Sequence, residues 1–283
     1  MANEITVTVA DSSIAELWPA EALRSRSSRS VLAKPEVVLF KMVEGKKLDT
    51  IRFTELAEMS TNAVGADGTV TNQATTQTQR TITLSEWREV TWRVANRVLE
   101  QSVLDYGMEF SKGAGARLGE YMDATIADDH ASITTNVEGS TTNPGAMSDD
   151  LALASIVDLD DLSVPAEDRT FAFRPKAKSE LLKLDKFSLA YATGLQKGAQ
   201  VSGLFGELYG IKVVTSPEIV STGTPAVLKN LLLHKQCIGL AMQKNIGIHR
   251  KDPPDLSTMW IAEVLYGEAV LRDNHGVVIN TRG

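Results

Sequence analysis

Cysteine is almost absent from this chain of 283 residues, in which Cys237 is the only one. A single thiol cannot form an intrachain disulfide, and no Cys-x-x-Cys pair is available to hold a metal. Cys237 lies in the largely apolar run of residues 231–240, which predicts a buried and unreactive side chain. The four histidines are scattered without metal-ligand spacing. The sequence therefore predicts no cysteine- or histidine-based metal site.

Aromatic residues and positive charge are also scarce. Aromatics make up 6% of the chain, so its cores are expected to consist mainly of aliphatic side chains. The net charge of −7 argues against a sequence-reading nucleic-acid binder, which normally carries a basic stripe. It does not argue against a container for DNA, because packaged DNA brings its own counterions. Three arginines in residues 24–30 predict a solvated or inter-subunit segment, with phosphate contact as the alternative.

Long apolar runs are missing as well. None approaches the ~20 residues of a membrane span. The first residues, Met-Ala-Asn-Glu-Ile, show no basic region followed by an apolar segment, so no secretory signal is predicted. We therefore expect a protein that is made and assembled in a cytoplasm.

Catalytic motifs are absent too. The chain has no Gly-x-Ser-x-Gly elbow. Gly113 and Gly115 lack the third glycine of a dinucleotide loop, and the glycine-rich residues 203–210 lack Gly-Lys-Ser/Thr. Acidic residues collect between Glu120 and His130, where solvated helix-end charge is favoured over a cation site. We predict no catalytic, cofactor-binding or metal site, and no enzyme.

The most informative stretch is residues 51–129. Residues 51–54 predict a strand, and residues 68–79 carry no charge and are rich in Thr, Asn and Gln. Residues 81–84 and 90–94 then alternate apolar and polar side chains, which predicts strands with one covered face. This hairpin is too long and too polar to bury a core of its own. We expect it to lie on another copy of the protein.

After the hairpin, the spacing of apolar residues changes to that of a helix. Apolar residues at steps of three and four predict a helix from about Arg97 to Asp129, roughly 50 Å long. Its glycines allow a kink or a division into two pieces. The stripe consists of Leu99, Val103, Tyr106, Phe110, Ala114, Leu118, Tyr121 and Thr125.

The remaining chain mixes helices and strands without a strict β-α-β rhythm, which predicts an α+β class. Ser148 is expected to cap one helix, and Pro175 to open another. Residues 1–10 alternate weakly and predict an extended arm, which is followed by a short amphipathic helix. Further strands are predicted at residues 37–40, 170–173, 211–214, 227–240, 246–249, 261–271 and 277–279.

Several local patterns, taken together, resemble the major capsid proteins of tailed bacteriophages, which have the Hong Kong 97-type fold. The likeness covers most of the chain, and its patterns are residues 48–53, 63–65, 123–128, 173–175, 202–213 and 266–272. The resemblance implies an N-terminal arm, an extended hairpin loop with its base, a peripheral domain with a long spine helix, and an axial domain. The implied ranges are 1–35 for the arm, 36–92 for the loop, 93–148 with 237–272 for the peripheral domain, and 149–236 with 273–283 for the axial domain.

The resemblance also implies a function. Capsid proteins of this family assemble into hexamers and pentamers of an icosahedral shell, which encloses double-stranded DNA without reading its sequence. The expected location is the virion after assembly in the host cytoplasm, with portal and scaffolding proteins as partners and a decoration protein left open. An encapsulin-like nanocompartment shell is the nearest alternative, and an unrecognised α+β enzyme is the alternative from another class.

Candidate subunit contacts follow from the loop's chemistry. An uncharged loop can hydrogen-bond to a neighbour without desolvating ions, and large aromatics dominate interface energetics. Trp92 is in phase with Val90 and Val94, which favours its own core, whereas core and interface stay open for Trp18 and Trp87. The candidates are Trp18, Asp67, Gln73, Gln77, Arg80 and Trp87.

Some members of that family join neighbouring loops through a lysine–asparagine isopeptide bond. Here no lysine occurs from Phe53 to Ser111. We therefore expect no covalent cross-link of that kind.

Overall fold

The structure is a computed structural model, and it describes residues 22, 24–26, 30–43, 48–56, 61–68, 70, 72, 77–102, 105–183 and 206–283. The helices described from end to end are α1 (Asn96–Gln101), α2 (Tyr106–Asp128), α3 (Asp149–Asp161) and α4 (Pro175–Leu181), and residues 22 and 24–26 are also helical. The strands are β1 (Leu39–Met42), β2 (Thr50–Leu56), β3 (Gln77–Thr83), β4 (Glu86–Ala95), β5 (Val137–Glu138), β6 (Arg169–Phe173), β7 (Glu207–Leu208), β8 (Ile211–Thr215), β9 (Ser221–Thr222), β10 (Val227–His234), β11 (Ile238–Lys251), β12 (Ser257–Val270) and β13 (Gly276–Arg282). The predicted α+β class is confirmed.

The first sheet has the order β1-β11-β12-β4. Its centre is the antiparallel pair of β11 and β12, and β1 lies parallel to β11. The apolar stripe of α2 packs on one face of this sheet, because alternate residues of β12 point to the same side. The core between them contains Phe110, Leu118, Trp260, Val264 and Tyr266.

The helix predicted from Arg97 to Asp129 is divided into two pieces, which the sequence analysis allowed, but the division does not lie where the glycines placed it. Helix α1 ends at Gln101, where Ser102 has extended backbone (φ −97°, ψ 141°). A second helix, α2, starts at Tyr106, because the Asp105 side chain caps it by accepting a hydrogen bond from the Met108 amide. The division therefore lies at a cap rather than at the glycines.

The second sheet has the order β5-β13-β10-β6-β8-β7, with β9 also paired to β10. Helices α3 and α4 supply residues to the core on one of its faces, where the Phe171 and Phe173 rings stack at 5.1 Å. Ser148 caps α3 by accepting from the Leu151 amide at 3.3 Å, and Pro175 lies in the first turn of α4, both as predicted.

Four of the other predicted strands are confirmed. The strands expected at residues 51–54, 170–173, 211–214 and 277–279 lie within β2, β6, β8 and β13. The first strand begins at Leu39 instead of Val37. Val37 and Val38 are buried in the segment that precedes it. Cys237 is buried as predicted, and burial raises the pKa of its thiol. The arm predicted for residues 1–10 lies outside the described residues, as does most of the short helix predicted after it. Ala22, on the predicted apolar face of that helix, is described and is helical.

A short segment before β1, which we call the strap (residues 22–33), packs along α2. Its described residues are 22, 24–26 and 30–33. The face of α2 below it is formed by small residues four positions apart, followed by one carboxylate: Gly107, Ser111, Gly115, Gly119 and Asp123, all buried. A Cβ atom on Gly115 would lie 2.1 Å from the Ala22 carbonyl oxygen. The glycines of α2 therefore allow a close approach of the strap's backbone.

The strap ends at the buried carboxylate of Asp123. Asp123 accepts hydrogen bonds from the Ser30 hydroxyl at 2.7 Å and from the amides of Val31, Leu32 and Ala33 at 2.6, 3.1 and 2.9 Å. Farther back, the Ser25 hydroxyl donates to the Lys112 carbonyl at 2.7 Å. The strap is thus held by backbone and side-chain hydrogen bonds along α2.

We predict opposite effects for two glycines of α2. Gly115→Ala places a methyl group against the Ala22 carbonyl, and this overpacking should lower the free energy of unfolding by roughly 1 to 3 kcal/mol. Gly113→Ala is the matched control, because no atom lies within 4 Å of its added Cβ. The control should gain up to about 1 kcal/mol from helix propensity. Urea denaturation of both variants tests this, and equal effects would contradict a strap packed at Gly115.

Candidate subunit interface

Among the residues that the structure describes, the hairpin of β2 and β3 joins a core at its base. Antiparallel pairing runs from Thr50 opposite Thr83 to Leu56 opposite Gln77. Near the base, Ile51 and Ile82 are buried against Leu271 and neighbouring apolar residues. Residues 77–81 are exposed, as are residues 61–68 of the intervening loop. The described part of the chain therefore provides no core for the outer half of the hairpin.

The predicted loop candidates lie on this exposed part. Asp67, Gln77 and Arg80 are exposed, and Gly68 closes the predicted turn with its amide 2.9 Å from the Gly65 carbonyl at a φ of 79°. Trp18 and Gln73 lie outside the described residues. The role of these side chains in subunit contacts stays a prediction.

Arg80 also borders a cavity at the base of the hairpin. The cavity has a volume of about 210 Å³, and its apolar wall includes Leu39, Phe53 and Leu271. Arg272 and Gln236 complete the wall on the side of the β10–β11 and β12–β13 connections. An apolar side chain with a polar end fits such a surface, since its stem would meet the leucines and its tip the arginines.

Trp87 lies apart from the loop candidates, on the open face of the first sheet. It is 69% exposed, so the structure excludes the alternative that it fills its own subunit's core. Its indole N–H donates to a carboxylate oxygen of Glu263 at 2.9 Å. Lys244 and His249 reach the other oxygen of the same carboxylate. The hydrogen bond from Lys244 is the main cause that lowers the pKa of Glu263. This ionised carboxylate orients the indole and leaves much of the ring uncovered.

Trp92 packs within its own subunit, as predicted, but at the margin of the core, because the residue is 36% exposed. Its ring centroid is 5.8 Å from that of Tyr106, edge to face, and 5.8 Å from that of Phe110. Trp92 therefore packs on α2 within its own subunit.

The acidic residues near the end of α2 have roles that sequence reasoning missed. Asp123 binds the strap, while one carboxylate oxygen of Asp129 and one of Glu268 are buried without a hydrogen-bond partner. Burial is the main cause that raises the pKa of Asp129 to about 6 and that of Glu268 to about 7, and their mutual proximity adds to the shift of Glu268. The alternation of apolar residues in β12 could have indicated the burial of Glu268, because this residue is in phase with the core residues Val264 and Tyr266. Within the described ranges, no group of His, Cys, Asp and Glu residues is arranged to hold a metal.

Glu268 predicts a pH dependence of stability. Because its pKa is raised in the folded state, the native protein holds a proton that the unfolded chain loses between about pH 4.5 and pH 7. Its contribution to stability is therefore present at low pH and is lost as the pH rises through about 7. Glu268→Gln removes this loss, so the variant should gain stability over the parent between pH 5 and pH 8, measured by chemical denaturation. Glu109→Gln is the control, because Glu109 is a mostly exposed carboxylate on α2. This variant should keep the parent's dependence of stability on pH. If the free energy of unfolding depends on pH in the same way in Glu268→Gln and in the parent, the raised pKa does not belong to Glu268.

The two tryptophans of β4 predict separable effects. Trp87→Ala should change the free energy of unfolding by less than about 1 kcal/mol, because the ring is mainly in solvent. Trp92→Ala should cost roughly 3 kcal/mol, because it removes aromatic packing on α2. If Trp87 contacts a neighbour, its variant should lose assembly while its thermal unfolding stays that of the parent. If Trp87→Ala assembles at the same protein concentration as the parent, Trp87 makes no contact that assembly needs.

Comparison with known proteins identifies the fold. No protein-family model and no curated protein matches the sequence. Among solved structures, the chain is similar to one from Mycobacterium phage Che8, with a TM-score of 0.69 and 18% identity over 82% of this chain and 85% of the other. It is similar to the capsid structure of the Cyanophage P-SCSP1u, with a TM-score of 0.68 and 15% identity over 87% of each chain.

A third similar structure is the virus-like particle from Pyrococcus furiosus, with a TM-score of 0.60 and 12% identity over 93% of this chain and 98% of the other. At these identities the likeness establishes the fold. The chain has the Hong Kong 97-type capsid fold that its sequence patterns predicted.

Proposed function

We propose that this chain is the major capsid protein of a tailed double-stranded DNA phage and assembles into the hexamers and pentamers of an icosahedral shell. The observation that carries the proposal is the hairpin of β2 and β3, which extends from a capsid-type fold and whose described residues are buried at its base and exposed farther out. An isolated two-stranded hairpin is marginally stable in water. A neighbouring copy supplies the surface that its outer half lacks.

The chemistry of the hairpin suits repeated, reversible contacts. Its outer strand residues Gln77, Thr78 and Gln79 can donate and accept hydrogen bonds without the desolvation of a charge. Individual contacts of this kind are weak. In a closed shell each subunit makes them with several neighbours at once, so they become collectively strong.

The domain ranges given above belong to the same proposal. The strand order supports them for β11 and β12, which belong to the first sheet, and for β10 and β13, which belong to the second. Two strands depart from the ranges, because β5 (137–138) pairs with β13 and β1 (39–42) pairs with β11. Residues 235–237 and 271–275 connect the two sheets. In the proposed capsid protein, the sheet next to α2 is the peripheral domain and the other sheet is the axial domain.

The proposed surroundings follow from the same role. The partners are further copies of the chain, a portal and a scaffolding protein, with a decoration protein as an open alternative. The shell encloses double-stranded DNA without sequence-specific contacts, and assembly takes place in the host cytoplasm before the virion is released. Among the described residues, no helix is long and apolar enough to cross a membrane.

A nanocompartment shell is the second candidate. The observation that favours it is the similarity to the virus-like particle from Pyrococcus furiosus, which covers 98% of that chain. An enzymatic role has less support, because the similar structures are capsid proteins and point to a structural role.

Electron microscopy of the purified protein tests the proposal. We expect closed shells, or hexameric and pentameric rings, together with nucleic acid in shells from infected cells. Shells filled with protein cargo and free of nucleic acid would favour the nanocompartment. A uniform monomer or dimer at every concentration, salt and crowding condition would overturn both.

The lysine-free hairpin adds a second prediction. Mature shells boiled in denaturing detergent should run as intact monomer on a gel, because residues 53–111 offer no amine for an isopeptide bond. The measurement is densitometry of the monomer band before and after maturation. A ladder of covalent oligomers would contradict this prediction.

A further inference from the structure

The cavity at the base of the hairpin is basic as well as apolar. Its described lining residues include Arg80 and Arg272 and no carboxylate, although the whole chain has a net charge of −7. Phe53 lies directly opposite Arg80 in the pairing of β2 and β3, so both side chains are on the same face of the hairpin. Lys41 lies over the Phe53 ring, 5.4 Å from its centroid, and adds another positive charge. A partner for this cavity should therefore carry an apolar group and a negative charge.

Arg80 is available to such a partner. Its side chain is exposed, and it forms no hydrogen bond or ion pair with another described residue. Arg272, by contrast, lies 3.4 Å from a ring nitrogen of His275. The volume of about 210 Å³ is enough for one branched aliphatic side chain. The fitting partner is thus a surface on which an apolar side chain lies next to an unpaired carboxylate.

The chain presents such a surface on α3. The buried side of this helix contains Ala152, Ser155 and Leu159. The opposite side, which we call the outer face of α3, exposes four residues at helical spacing: Asp150, Leu153, Val157 and Asp161. Leu153 is 38% exposed and Val157 is 52% exposed. The outer face therefore combines two uncovered apolar side chains with a carboxylate at each end.

The stability of α3 does not explain Asp161. Asp150 lies in the first turn, where the helix dipole favours an acid, but Asp161 is the last residue of the helix, where the dipole disfavours one. The neighbouring Asp160 is paired with Arg169 at 2.7 Å, whereas Asp161 has no ion pair within the described ranges. One helical turn separates Asp161 from Val157. This pair offers the apolar group and the adjacent negative charge that the cavity requires.

The two surfaces do not meet within the described part of one subunit. No described lining residue of the cavity comes from α3, which supplies residues to the core on the second sheet. The outer face is also unsuited to pairing with the same face of a second copy, because its aspartates would meet like charges. A contact between two different surfaces is heterologous, and such contacts close into rings when the rotation between subunits allows it. The proposed hexamers and pentamers are rings of this kind.

We propose that the outer face of α3 in one copy docks on the hairpin base of the next copy, with Val157 in the cavity and Asp161 paired to Arg80. The inference rests on the proposed function, because only assembly supplies the second copy. It assigns one partner to the basic cavity and to the exposed apolar side chains of α3. Burial of Val157 against Leu39 and Leu271 would stabilise the contact, and the ion pair would fix its orientation.

A charge exchange tests the ion pair. Arg80→Glu and Asp161→Arg each place like charges at the contact, so each variant alone should raise the protein concentration needed for assembly by about tenfold or more. The double variant has an opposite pair again, with its direction reversed, and should assemble near the parent's concentration. The unassembled subunit should unfold like the parent in all three variants, because both side chains are exposed.

Arg52 provides the matched control for the exchange. It is exposed on β2, and its side chain points to the face of the hairpin opposite to that of Phe53 and Arg80. Arg52→Glu combined with Asp161→Arg changes the charges by the same amounts, but it leaves two arginines facing each other at the contact. This double variant should therefore keep the assembly defect of Asp161→Arg.

Disulfide trapping tests the apolar part of the contact. Thr54 is exposed and lines the cavity, so Thr54→Cys and Val157→Cys place one thiol on each surface. When the two variants are made as separate chains, co-assembled and oxidised, we expect covalent dimers only. When both cysteines are in one chain, each subunit is joined to the next, so we expect a ladder that ends at pentamers and hexamers. The parent should give no cross-link, because Cys237 is buried.

The outcomes separate this inference from the proposed function. Closed shells in which the cysteine pair forms no cross-link, and in which the charge exchange does not restore assembly, would overturn the contact and leave the capsid role standing. Normal assembly of both single charge variants would overturn it as well. A cross-link that forms within unassembled monomers would place Thr54 and Val157 together in one subunit and also contradict the proposal. Failure of the parent to assemble would overturn the capsid role itself.

Discussion

The rest of the subunit depends on the hydrogen bonds that the buried carboxylate of Asp123 accepts. It accepts four hydrogen bonds from residues 30–33, three of them from backbone amides. A hydrogen bond to a charged group contributes roughly 1.5 to 3 kcal/mol, and a buried carboxylate left without partners is costly. The bond network therefore fixes the strap on α2 and brings Leu32, Val37 and Val38 into the first core. β1 and then the base of the hairpin follow directly from that position.

The hairpin illustrates the opposite situation, in which the chain does not complete its own packing. Within the described residues its base joins a core, whereas Gln77 to Thr81 of β3 are exposed. On the neighbouring sheet, the outer edge of β4 has no strand partner among the described residues, and the ring of Trp87 is 69% exposed. A subunit with a tightly bound strap and several incomplete surfaces suits assembly, because the rigid part positions the surfaces that neighbours must complete.

Much of this arrangement could be predicted from periodicity. The alternation in residues 90–94 and the stripe from Tyr106 to Thr125 depend on local geometry, which a sequence displays directly. The position of the break before α2 was missed because the cap at Asp105 acts through one side chain against the apolar pattern. Gly115 and Gly119 were interpreted as weak points, since a sequence shows the cost of a glycine but not the backbone that packs against it. Likewise, the partner of Asp123 is about 90 residues away in sequence, and no local pattern connects them.

Hydrogen–deuterium exchange of the subunit before and after assembly tests the central claim most directly, because it reports on the strap and the hairpin in one experiment. The account predicts that the amides of residues 31–33 are protected in both states, because Asp123 binds them within the subunit. The amides of β3 from Gln77 to Thr81 should gain protection only in shells, when a neighbour covers the hairpin. Hairpin amides that exchange equally fast in shells and in free subunits would contradict the claim that assembly completes this part of the chain.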